Sequence, residues 1–531
     1  MAAPTTSDIA AALLYPNYWW SGPTVTYSIP TLLSQWSGYA PDGEPFDAHF
    51  GVLSALQGLR FAAAAEAWDQ VLALNLNPTS DGQIRVAFTD VGAFEDGDVW
   101  GYATTPPFRG GTAGAASGDV WIDYAKTSAT FADGSYDFMA TIHELGHALG
   151  LKHPFEDGGV LPAAYDNHRY SVMSYTEYAD DLYRTVEATS TGIRTAVTAV
   201  YPSTPMVFDI AALQSRYGAD IATATGANTY SWSQATPFMQ TIHDAGGTDV
   251  IDLSAHTRGS IVDLTPGAYS SIAYFSAADQ AAYWTTIYGW ASSFLQQQFN
   301  QASTYTWSNN LGIAFDTIIE NVLGSAGADT LSGNDAANSL TGGGGADSLS
   351  GLIGDDILRG GDGNDNILGG AGFDDINGNT GDDVASGGLG PDWVVGGQNN
   401  DRLSGDEDDD IVYGNLGADT CDGGAGNDLV RGGQGDDSLA GGAGNDWLSG
   451  DRGADTVSGG AGADIFHAFS GAGLDRVLDF QLGDGDRVLL DPGTAYSVRQ
   501  AGADTVVDMG AGDQLILVGV PMSSLTGAWI A

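Results

Sequence analysis

An aspartate returns every nine residues through the second half of this 531-residue chain, from Asp329 to Asp464, and Asn338 is the one interruption. Two positions after each aspartate stands an apolar or small residue, beginning with Leu331 and ending with Phe466. Glycines precede the aspartate, as in GGDGNDNIL and GGAGNDLVR. A disordered Gly/Asp-rich linker would not keep apolar residues in phase, so the period predicts identical turns stacked around a continuous interior.

Each nine-residue unit contains the parts of a cation-binding turn. Glycines allow a left-handed backbone and expose carbonyl oxygens, aspartate adds a hard oxygen ligand, and the apolar residue fills the interior. The unit resembles the GGxGxDxUx repeat of RTX proteins, which implies a calcium-binding parallel β-roll whose calcium ions are shared between turns eighteen residues apart. The predicted calcium ligands are Asp347, Asp356, Asp365, Asp374, Asp383, Asp428, Asp437, Asp446 and Asp455.

The repeat is uneven. Glycines are lost at 334–338, 396–401 and 405–410, and we expect these turns to bind calcium weakly or not at all. Cys421 is the chain's single cysteine and falls on the apolar position of its unit. This register predicts a small core residue rather than a nucleophile or a metal ligand.

The stretch HELGHALGLKHP indicates a metal site. His143 and His147 are four residues apart, so on a helix both imidazoles face one side and can clamp a zinc ion. Gly150 can end the helix through a left-handed residue, and the reversal would bring His153 round as a third ligand. Glu144 adjoins the first ligand, where its carboxylate can act as general base. Three ligands with a fourth position open are typical of catalytic zinc.

This motif, followed by YSVMSY, resembles the HExxHxxGxxH signature and methionine turn of metzincins. Methionine followed two residues later by tyrosine is similar to the serralysin and astacin branches. The resemblance implies that Met173 is a structural floor beneath the metal and that Tyr175 is a fifth ligand that swings off during turnover and helps to stabilise the oxyanion. A packed core tyrosine is the alternative for Tyr175.

The resemblance also assigns a role to the strand just upstream of the zinc helix. In metzincins the strand at that place is the sheet edge above the cleft, and an exposed edge pairs with extended peptide through main-chain hydrogen bonds. We therefore expect 119–124 to form this edge; an ordinary interior strand is the alternative. The predicted substrate-binding residues are Trp121, Ile122 and Asp123.

The order of the two features, zinc motif and then repeat, is that of serralysins, and the resemblance runs from about residue 24 to the C-terminus. It implies an α+β metzincin catalytic domain followed by an all-β parallel β-roll (RTX solenoid) domain. The predicted division is a short N-terminal segment (1–23), a zinc protease domain (24–220), a connecting region (221–323) with a helical insertion near 269–310, the RTX β-roll (324–468) and a C-terminal β cap with an export signal (469–531).

Charge and composition restrict the partners. The chain has 67 acidic and 17 basic residues, a formal charge of −50, and 27 acidic against four basic residues in 329–464. Nucleic acid and anionic membranes are therefore excluded as partners, whereas divalent cations are favoured. Without a cation the repeat should repel itself and stay unfolded. A single cysteine excludes an intrachain disulfide, and no apolar run is long enough for a membrane span.

The first residues lack the basic region and the long apolar stretch of a signal peptide, so the protein either stays inside the cell or leaves it by a route that does not read the N-terminus. Extracellular calcium modules bind at about 10⁻⁴–10⁻³ M, so the repeat should fold outside the cell. The resemblance implies export by a type I secretion machinery. The C-terminal GAWIA lacks the acidic and hydrophobic tetrapeptide common in serralysins.

The leading hypothesis is a secreted, calcium-stabilised zinc endopeptidase with one catalytic Zn²⁺ and several structural Ca²⁺. Its partners would be protein and peptide substrates, the type I machinery and, by resemblance, a proteinaceous inhibitor; we expect a monomer. Two alternatives stay open: an RTX surface- or matrix-binding protein whose zinc domain no longer cleaves, and a processing protease specific for one surface protein. No residue of the zinc motif is missing, which favours the endopeptidase.

Overall fold

The computed structural model describes residues 3–36, 39, 49–91, 99–156 and 159–531. The chain forms two compact units. The first comprises Met1–Asn228, Gln234–Gly247 and Pro266–Thr317, and the second comprises Thr229–Ser233, Thr248–Thr265 and Ile318–Ala531. The zinc motif lies in the first unit and the nine-residue repeat in the second.

Six α-helices occur among the described residues of the first unit. Thr5, Ser54, Ser135 and Ser276 each begin a helix by accepting a hydrogen bond from the backbone N–H three residues later. The helices are α1 (Thr6–Leu13), α2 (Ala55–Asp69), α3 (Tyr136–Leu149), α4 (Val207–Tyr217), α5 (Ala277–Ile287) and α6 (Ser292–Phe299). In the part of the chain that the structure describes, no helix has the length and apolar character that a membrane crossing requires.

A five-stranded sheet supports helices α2 and α3. Its strands are β1 (Thr24–Ser28), β2 (Asn75–Pro78), β3 (Ile84–Thr89), β4 (Gly101–Ala103) and β5 (Val120–Asp123). The order is β2-β1-β3-β5-β4; the first four are parallel, and β4 is antiparallel to β5 at one edge. Phe61 and Trp68 of α2 share one buried core with Leu145 of α3 and with Val86 and Phe88 of β3, so apolar burial fixes the zinc-motif helix on the sheet.

The prediction that 119–124 forms the sheet edge is wrong. This segment contains β5, which lies between β3 and β4, and the side chains of Trp121 and Ile122 are completely buried. Strands covered on both sides read as continuous apolar runs, and VWID has that character. The edge is formed instead by β4, which the sequence did not reveal because it is three residues long.

The rest of the first unit contains a hairpin and a small sheet. The hairpin strands are β6 (Leu182–Thr189) and β7 (Gly192–Ala199), and the sheet strands are β9 (Gln240–Ile242), β12 (Tyr269–Ser270) and β13 (Leu311–Ile313). Helices α5 and α6 lie within 269–310, where a helical insertion is predicted. Leu295 and Phe299 of α6 pack in one buried cluster with Val186 of β6.

The second unit is a solenoid of two parallel sheets. The twelve-stranded sheet contains, in chain order, β8 (Thr229–Tyr230), β10 (Val250–Asp252), β14 (Asn321–Leu323), β16 (Ser339–Gly344), β18 (Ile357–Asp362), β20 (Asp375–Thr380), β22 (Trp393–Gln398), β24 (Ile411–Leu416), β26 (Leu429–Gln434), β28 (Trp447–Arg452), β30 (Ile465–Ala468) and β32 (Arg487–Leu490).

The thirteen-stranded sheet takes the alternate strands and ends in an antiparallel meander. Its strands are β11 (Ile261–Asp263), β15 (Thr330–Ser332), β17 (Ser348–Ile353), β19 (Asn366–Ala371), β21 (Val384–Leu389), β23 (Arg402–Glu407), β25 (Thr420–Ala425), β27 (Ser438–Ala443), β29 (Thr456–Ala461), β31 (Leu474–Val477), β33 (Ser497–Ala501), β34 (Asp504–Gly510) and β35 (Asp513–Leu517).

Within the repeat, from β14 to β30 in one sheet and from β15 to β29 in the other, neighbouring strands pair residues eighteen apart, so the apolar positions stack. Leu340 pairs with Leu358, which pairs with Ile376, and all three are fully buried. Cys421 is buried between Leu403 and Leu439, as its register predicts. The structure therefore confirms the predicted fold class, an α+β domain followed by an all-β parallel roll. The five-part division of the chain stays a prediction.

Candidate metal centre

Helix α3 carries the first two histidines of the zinc motif. It begins at Ser135, whose hydroxyl accepts the Phe138 N–H at 3.2 Å. It ends at Gly150, whose φ of 110° is left-handed, as the motif predicts. Tyr217 donates a hydrogen bond to the carbonyl oxygen of Leu149 at 2.7 Å, which satisfies one of the last carbonyls of the helix.

The reversal at Gly150 brings the three histidines together. The Nε2 atom of His153 lies 3.1 Å from that of His147 and 3.3 Å from that of His143. Ligands of a tetrahedral ion at about 2.0–2.1 Å are separated by roughly 3.3–3.4 Å. The three nitrogens therefore have the spacing of a three-point metal site, and they are the metal-ligating cluster found among the described residues.

Acceptors behind each ring show which nitrogen is available to a metal. The Nδ1 atom of His143 lies 2.7 Å from the Val172 carbonyl, that of His147 lies 2.8 Å from the Leu151 carbonyl, and that of His153 lies 2.5 Å from a Glu156 carboxylate oxygen.

Carbonyl and carboxylate oxygens accept only, so each Nδ1 carries the proton and each Nε2 presents a lone pair. The lone pair of His153 lies 3.1 and 3.3 Å from those of His147 and His143, and lone pairs this close repel one another unless a cation lies between them. The donor set thus fits a divalent metal, and imidazole nitrogens suit zinc.

Burial keeps these rings neutral. It lowers the pKa of His147 to about 3 and lowers the pKa values of His143 and His153 in the same direction, with the neighbouring imidazoles adding to the effect at His143 and His147. Neutral imidazole is the form that ligates a metal. The site is therefore in its metal-binding protonation state at neutral pH.

Glu144 is buried beside the three ligands. Burial raises the pKa of its carboxyl group to about 8, and its Oε2 atom has no hydrogen-bond partner among the residues that the structure describes. A cation at the histidines would pull this pKa down again. An unpartnered carboxylate that titrates near neutrality is suited to accept and return a proton.

Tyr175 and Met173 lie on two sides of the cluster. The exposed ring of Tyr175 has its centroid 4.4 Å from that of His153 and 5.8 Å from that of His143. Met173 is fully buried, and a Cβ built at Gly146, between the two helical ligands, would lie 2.8 Å from its sulfur. Tyr175 therefore borders the metal position, and Met173 packs against helix α3 at Gly146.

A cavity of about 480 Å³ opens beside the ligands. It extends from Gly101 of the edge strand β4 across Tyr136 of α3 to Tyr175 and Glu177, which follow the methionine turn, and it reaches Glu144. The predicted substrate-binding residues of β5 are not among its lining. The three histidines and Glu144 that the sequence grouped do lie together, and their role as zinc site stays a prediction. The predicted substrate-binding strand lies one position inside the edge.

Two residues that support the ligands were missed. Glu156 holds His153, and Asp209 of α4 accepts hydrogen bonds from the Ser171 hydroxyl at 2.5 Å and from the Val172 N–H at 2.8 Å, so it fixes the turn whose carbonyl holds His143. An acidic residue three positions after His153 was the available signal for Glu156. No local pattern indicated Asp209, because it acts from a helix that is distant in sequence.

The repeat forms a second kind of site. From Asp347 to Asp464, each in-phase aspartate accepts, through one oxygen, the backbone N–H of the residue eighteen positions earlier, as Asp365 does from Asp347 at 2.8 Å. The other oxygen is buried without a hydrogen-bond partner among the described residues in Asp347, Asp356, Asp365, Asp374, Asp383, Asp392, Asp401, Asp410, Asp419, Asp428, Asp437, Asp446 and Asp455.

Glycine leaves room beside these oxygens. A Cβ at Gly342 would overlap both the unpartnered oxygen of Asp347 and the carbonyl oxygen of Gly360 in the next turn. Carboxylate and carbonyl oxygens that converge on an open cradle fit calcium. Asp392, Asp401, Asp410 and Asp419, which were not predicted as ligands, have the same arrangement.

Comparisons with known proteins found one family model and several relatives. The RTX calcium-binding nonapeptide repeat matches in four copies, at 323–358, 359–394, 395–430 and 431–466. Serralysin B of Dickeya chrysanthemi is 28% identical over 317 residues, 53% of this chain and 61% of that protein. Metalloprotease AprA of Pseudomonas entomophila is 28% identical over 315 residues, which are 55% of this chain and 56% of that protein. Serralysin of Proteus mirabilis is 28% identical over 246 residues, which are 42% of this chain and 41% of that protein.

The matched part of this chain thus spans about half the length of these curated relatives. The chain is similar to serralysin-type metalloproteases and carries C-terminal RTX calcium-binding repeats.

Proposed function

We propose that this chain is a calcium-stabilised zinc endopeptidase that is secreted and hydrolyses peptide bonds of proteins. The observation that carries the proposal is the convergence of three imidazole Nε2 atoms, at 3.1 and 3.3 Å, whose other nitrogens are all committed to acceptors. Relatives named serralysin and metalloprotease support it.

His143, His147 and His153 would hold the zinc ion through Nε2. Bound there, zinc supplies Lewis acidity that polarises a carbonyl group and acidifies water. Glu144 takes the proton of the attacking water at its unpartnered oxygen and returns it to the leaving amine. The ring of Tyr175 lies next to two of the ligands, and its hydroxyl would donate a hydrogen bond to the oxyanion as the carbonyl becomes tetrahedral.

The edge strand β4 would position the substrate. It is the outer strand of the sheet in the part of the chain that the structure describes, and its Gly101 lines the cavity beside Glu144. An extended polypeptide can add to such an edge through main-chain hydrogen bonds, which do not depend on chain ends. This geometry supports an endopeptidase acting on unfolded or extended segments of proteins.

The second unit would supply calcium-dependent folding. Its unpartnered aspartate oxygens require a cation, and calcium, the cation that fits them, is scarce in the cytoplasm and abundant outside the cell. We propose export through a type I secretion machinery, with the roll folding after release, and a proteinaceous inhibitor as a further partner.

The test is metal content by mass spectrometry on full-length protein purified in calcium, paired with casein hydrolysis before and after 1,10-phenanthroline. We expect about one zinc per chain and activity that is lost on chelation and restored by zinc. Glu144→Gln should retain the zinc and lose at least about a hundredfold in hydrolysis.

A control variant, Asp133→Asn, changes an exposed carboxylate of the same unit and should behave as the parent. Zinc without hydrolysis would favour a binding protein with an inactive zinc domain, and no zinc would overturn the proposal.

A further inference from the structure

The cavity beside the metal ligands has a wall that accepts hydrogen bonds and carries negative charge. Glu177 lines it together with Glu144, and no lysine or arginine occurs among its described lining residues. Because Glu144 is assigned to proton transfer, Glu177 is the carboxylate that remains for recognising a substrate side chain. This reading rests on the proposed peptidase function.

Aromatic packing fixes Glu177 on the wall. The Tyr201 hydroxyl donates a hydrogen bond to a carboxylate oxygen of Glu177 at 3.3 Å. The Tyr201 ring packs edge-on against Tyr136 and His168, with centroid distances of 5.3 and 5.9 Å, and both of those residues line the cavity. The Glu177 carboxylate is therefore linked, through Tyr201, to two of the aromatic rings that line the cavity.

His168 lines the cavity without offering it a free donor. Its Nε2 atom lies 2.9 Å from the Ser174 carbonyl oxygen, which can only accept, so Nε2 carries the proton. The other nitrogen of the buried ring is then unprotonated. A carboxylate beside a ring that offers no free donor matches a side chain that only donates, and arginine and lysine are the two such charged side chains.

We infer that this cavity selects substrates with arginine or lysine at a position next to the scissile bond, with Glu177 pairing with the basic side chain. The volume of about 480 Å³ accommodates a side chain of this length. The ring of Tyr136, which is partly exposed, offers a face on which the aliphatic stem or the guanidinium packs.

The experiment uses full-length protein loaded with zinc and calcium. Cleavage sites in a denatured proteome are read by mass spectrometry, which shows both residues that flank each cut. Arginine and lysine should be enriched on one flank. Matched fluorogenic peptides that differ only at that position should then give kcat/KM values about tenfold higher for Arg than for Glu, within the limit of about 25-fold that follows if pairing and repulsion each contribute up to about fivefold.

Substitutions at Glu177 test the assignment through this ratio. Glu177→Gln should bring the Arg/Glu ratio of kcat/KM close to one, and Glu177→Lys should invert it. Glu187→Gln is the matched control: it removes an exposed carboxylate of the same unit that pairs with Arg194, and the ratio should not change.

The inference would be overturned if the parent enzyme cleaved casein without a preference for Arg or Lys, or if the Glu177→Lys variant kept that preference. Either result would leave the peptidase function standing. Absence of any cleavage would instead refute the proposed function.

Discussion

The Nδ1 atom of His143 lies 2.7 Å from the carbonyl oxygen of Val172, so the methionine turn orients the first candidate zinc ligand. The same turn is held by Asp209, which accepts hydrogen bonds from the Ser171 hydroxyl, the Val172 N–H and the Met206 N–H at 2.5, 2.8 and 2.9 Å. A carboxylate outside the zinc motif thus positions a ligand through one intervening residue, Val172.

Asp209→Ala should weaken both the fold and the metal site. The Val172 and Met206 N–H groups are buried donors that would lose their acceptor, at about 1–3 kcal/mol each. Zinc affinity should fall by about 10- to 100-fold, because the carbonyl that holds His143 is no longer fixed. Competition with a fluorescent zinc chelator measures the affinity.

Asp209→Asn keeps one acceptor oxygen and should lie between the parent and Asp209→Ala. Asp133→Ala removes an exposed carboxylate paired with Arg60 and should cost at most about 1 kcal/mol without changing zinc affinity. Unchanged zinc affinity in Asp209→Ala would show that the methionine turn keeps its place without this carboxylate.

Two helical glycines should respond oppositely to alanine. A Cβ at Gly58 of α2 would have its nearest contact at 3.5 Å, whereas one at Gly146 of α3 would lie 2.8 Å from the Met173 sulfur and 3.2 Å from Leu151. Gly58→Ala should raise the free energy of unfolding by up to about 1 kcal/mol through helix propensity. Gly146→Ala should lower it by about 1–3 kcal/mol through overpacking, and should reduce zinc content. Thermal unfolding of the two variants side by side, with zinc analysis, checks this; equal stabilisation by both would contradict it.

The features readable from the sequence are those that depend on local spacing. The nine-residue period places Leu340, Leu358 and Ile376 in one buried column because solenoid contacts are set by fixed separations along the chain. His143 and His147 are likewise set by the helical turn, and His153 by the left-handed Gly150.

Features that depend on distant segments could not be read. Strand β4 forms the edge because it pairs with the outer side of β5. A strand of three residues, 101–103, is too short to give a recognisable sequence pattern. Asp209 supports the site from a helix more than thirty residues beyond the methionine turn. Non-local pairing of this kind leaves no periodic or local signal.

The aspartates that follow the glycine-poor turns should contribute as much to calcium-dependent folding as the other in-phase aspartates. The turn before Asp410 has Asp406 and Asp408 in left-handed conformations, at φ of 78° and 76°, yet the unpartnered oxygen of Asp410 is buried like that of Asp428. Asp410→Ala and Asp428→Ala should therefore raise the calcium midpoint of folding by similar factors.

Calcium titration followed by circular dichroism measures these midpoints. Asp335→Ala, which removes an exposed carboxylate of the same repeat, should leave the midpoint unchanged. A normal midpoint in Asp410→Ala alone would support the sequence-based expectation that 405–410 binds calcium weakly.

Protons should partly replace calcium in the roll. Burial raises the pKa of Asp347, Asp392 and Asp437 to about 7 from the ordinary value of 3.8. A carboxyl group whose pKa is raised by folding stabilises the fold when protonated, and this contribution disappears as pH rises from about 4 to about 7. Without calcium, the roll should therefore be more stable at pH 5 than at pH 8.

Saturating calcium should reverse this order, because the ion binds carboxylates and competes with protons. Hydrogen exchange of the full-length protein, read in peptides from 339–461, separates the roll from the first unit. In buffer stripped of calcium we expect slower exchange at pH 5 than at pH 8 after correction for intrinsic rates, and in millimolar calcium slower exchange at pH 8. The same order in both buffers would mean that the buried aspartate oxygens are not the groups at which calcium and protons compete.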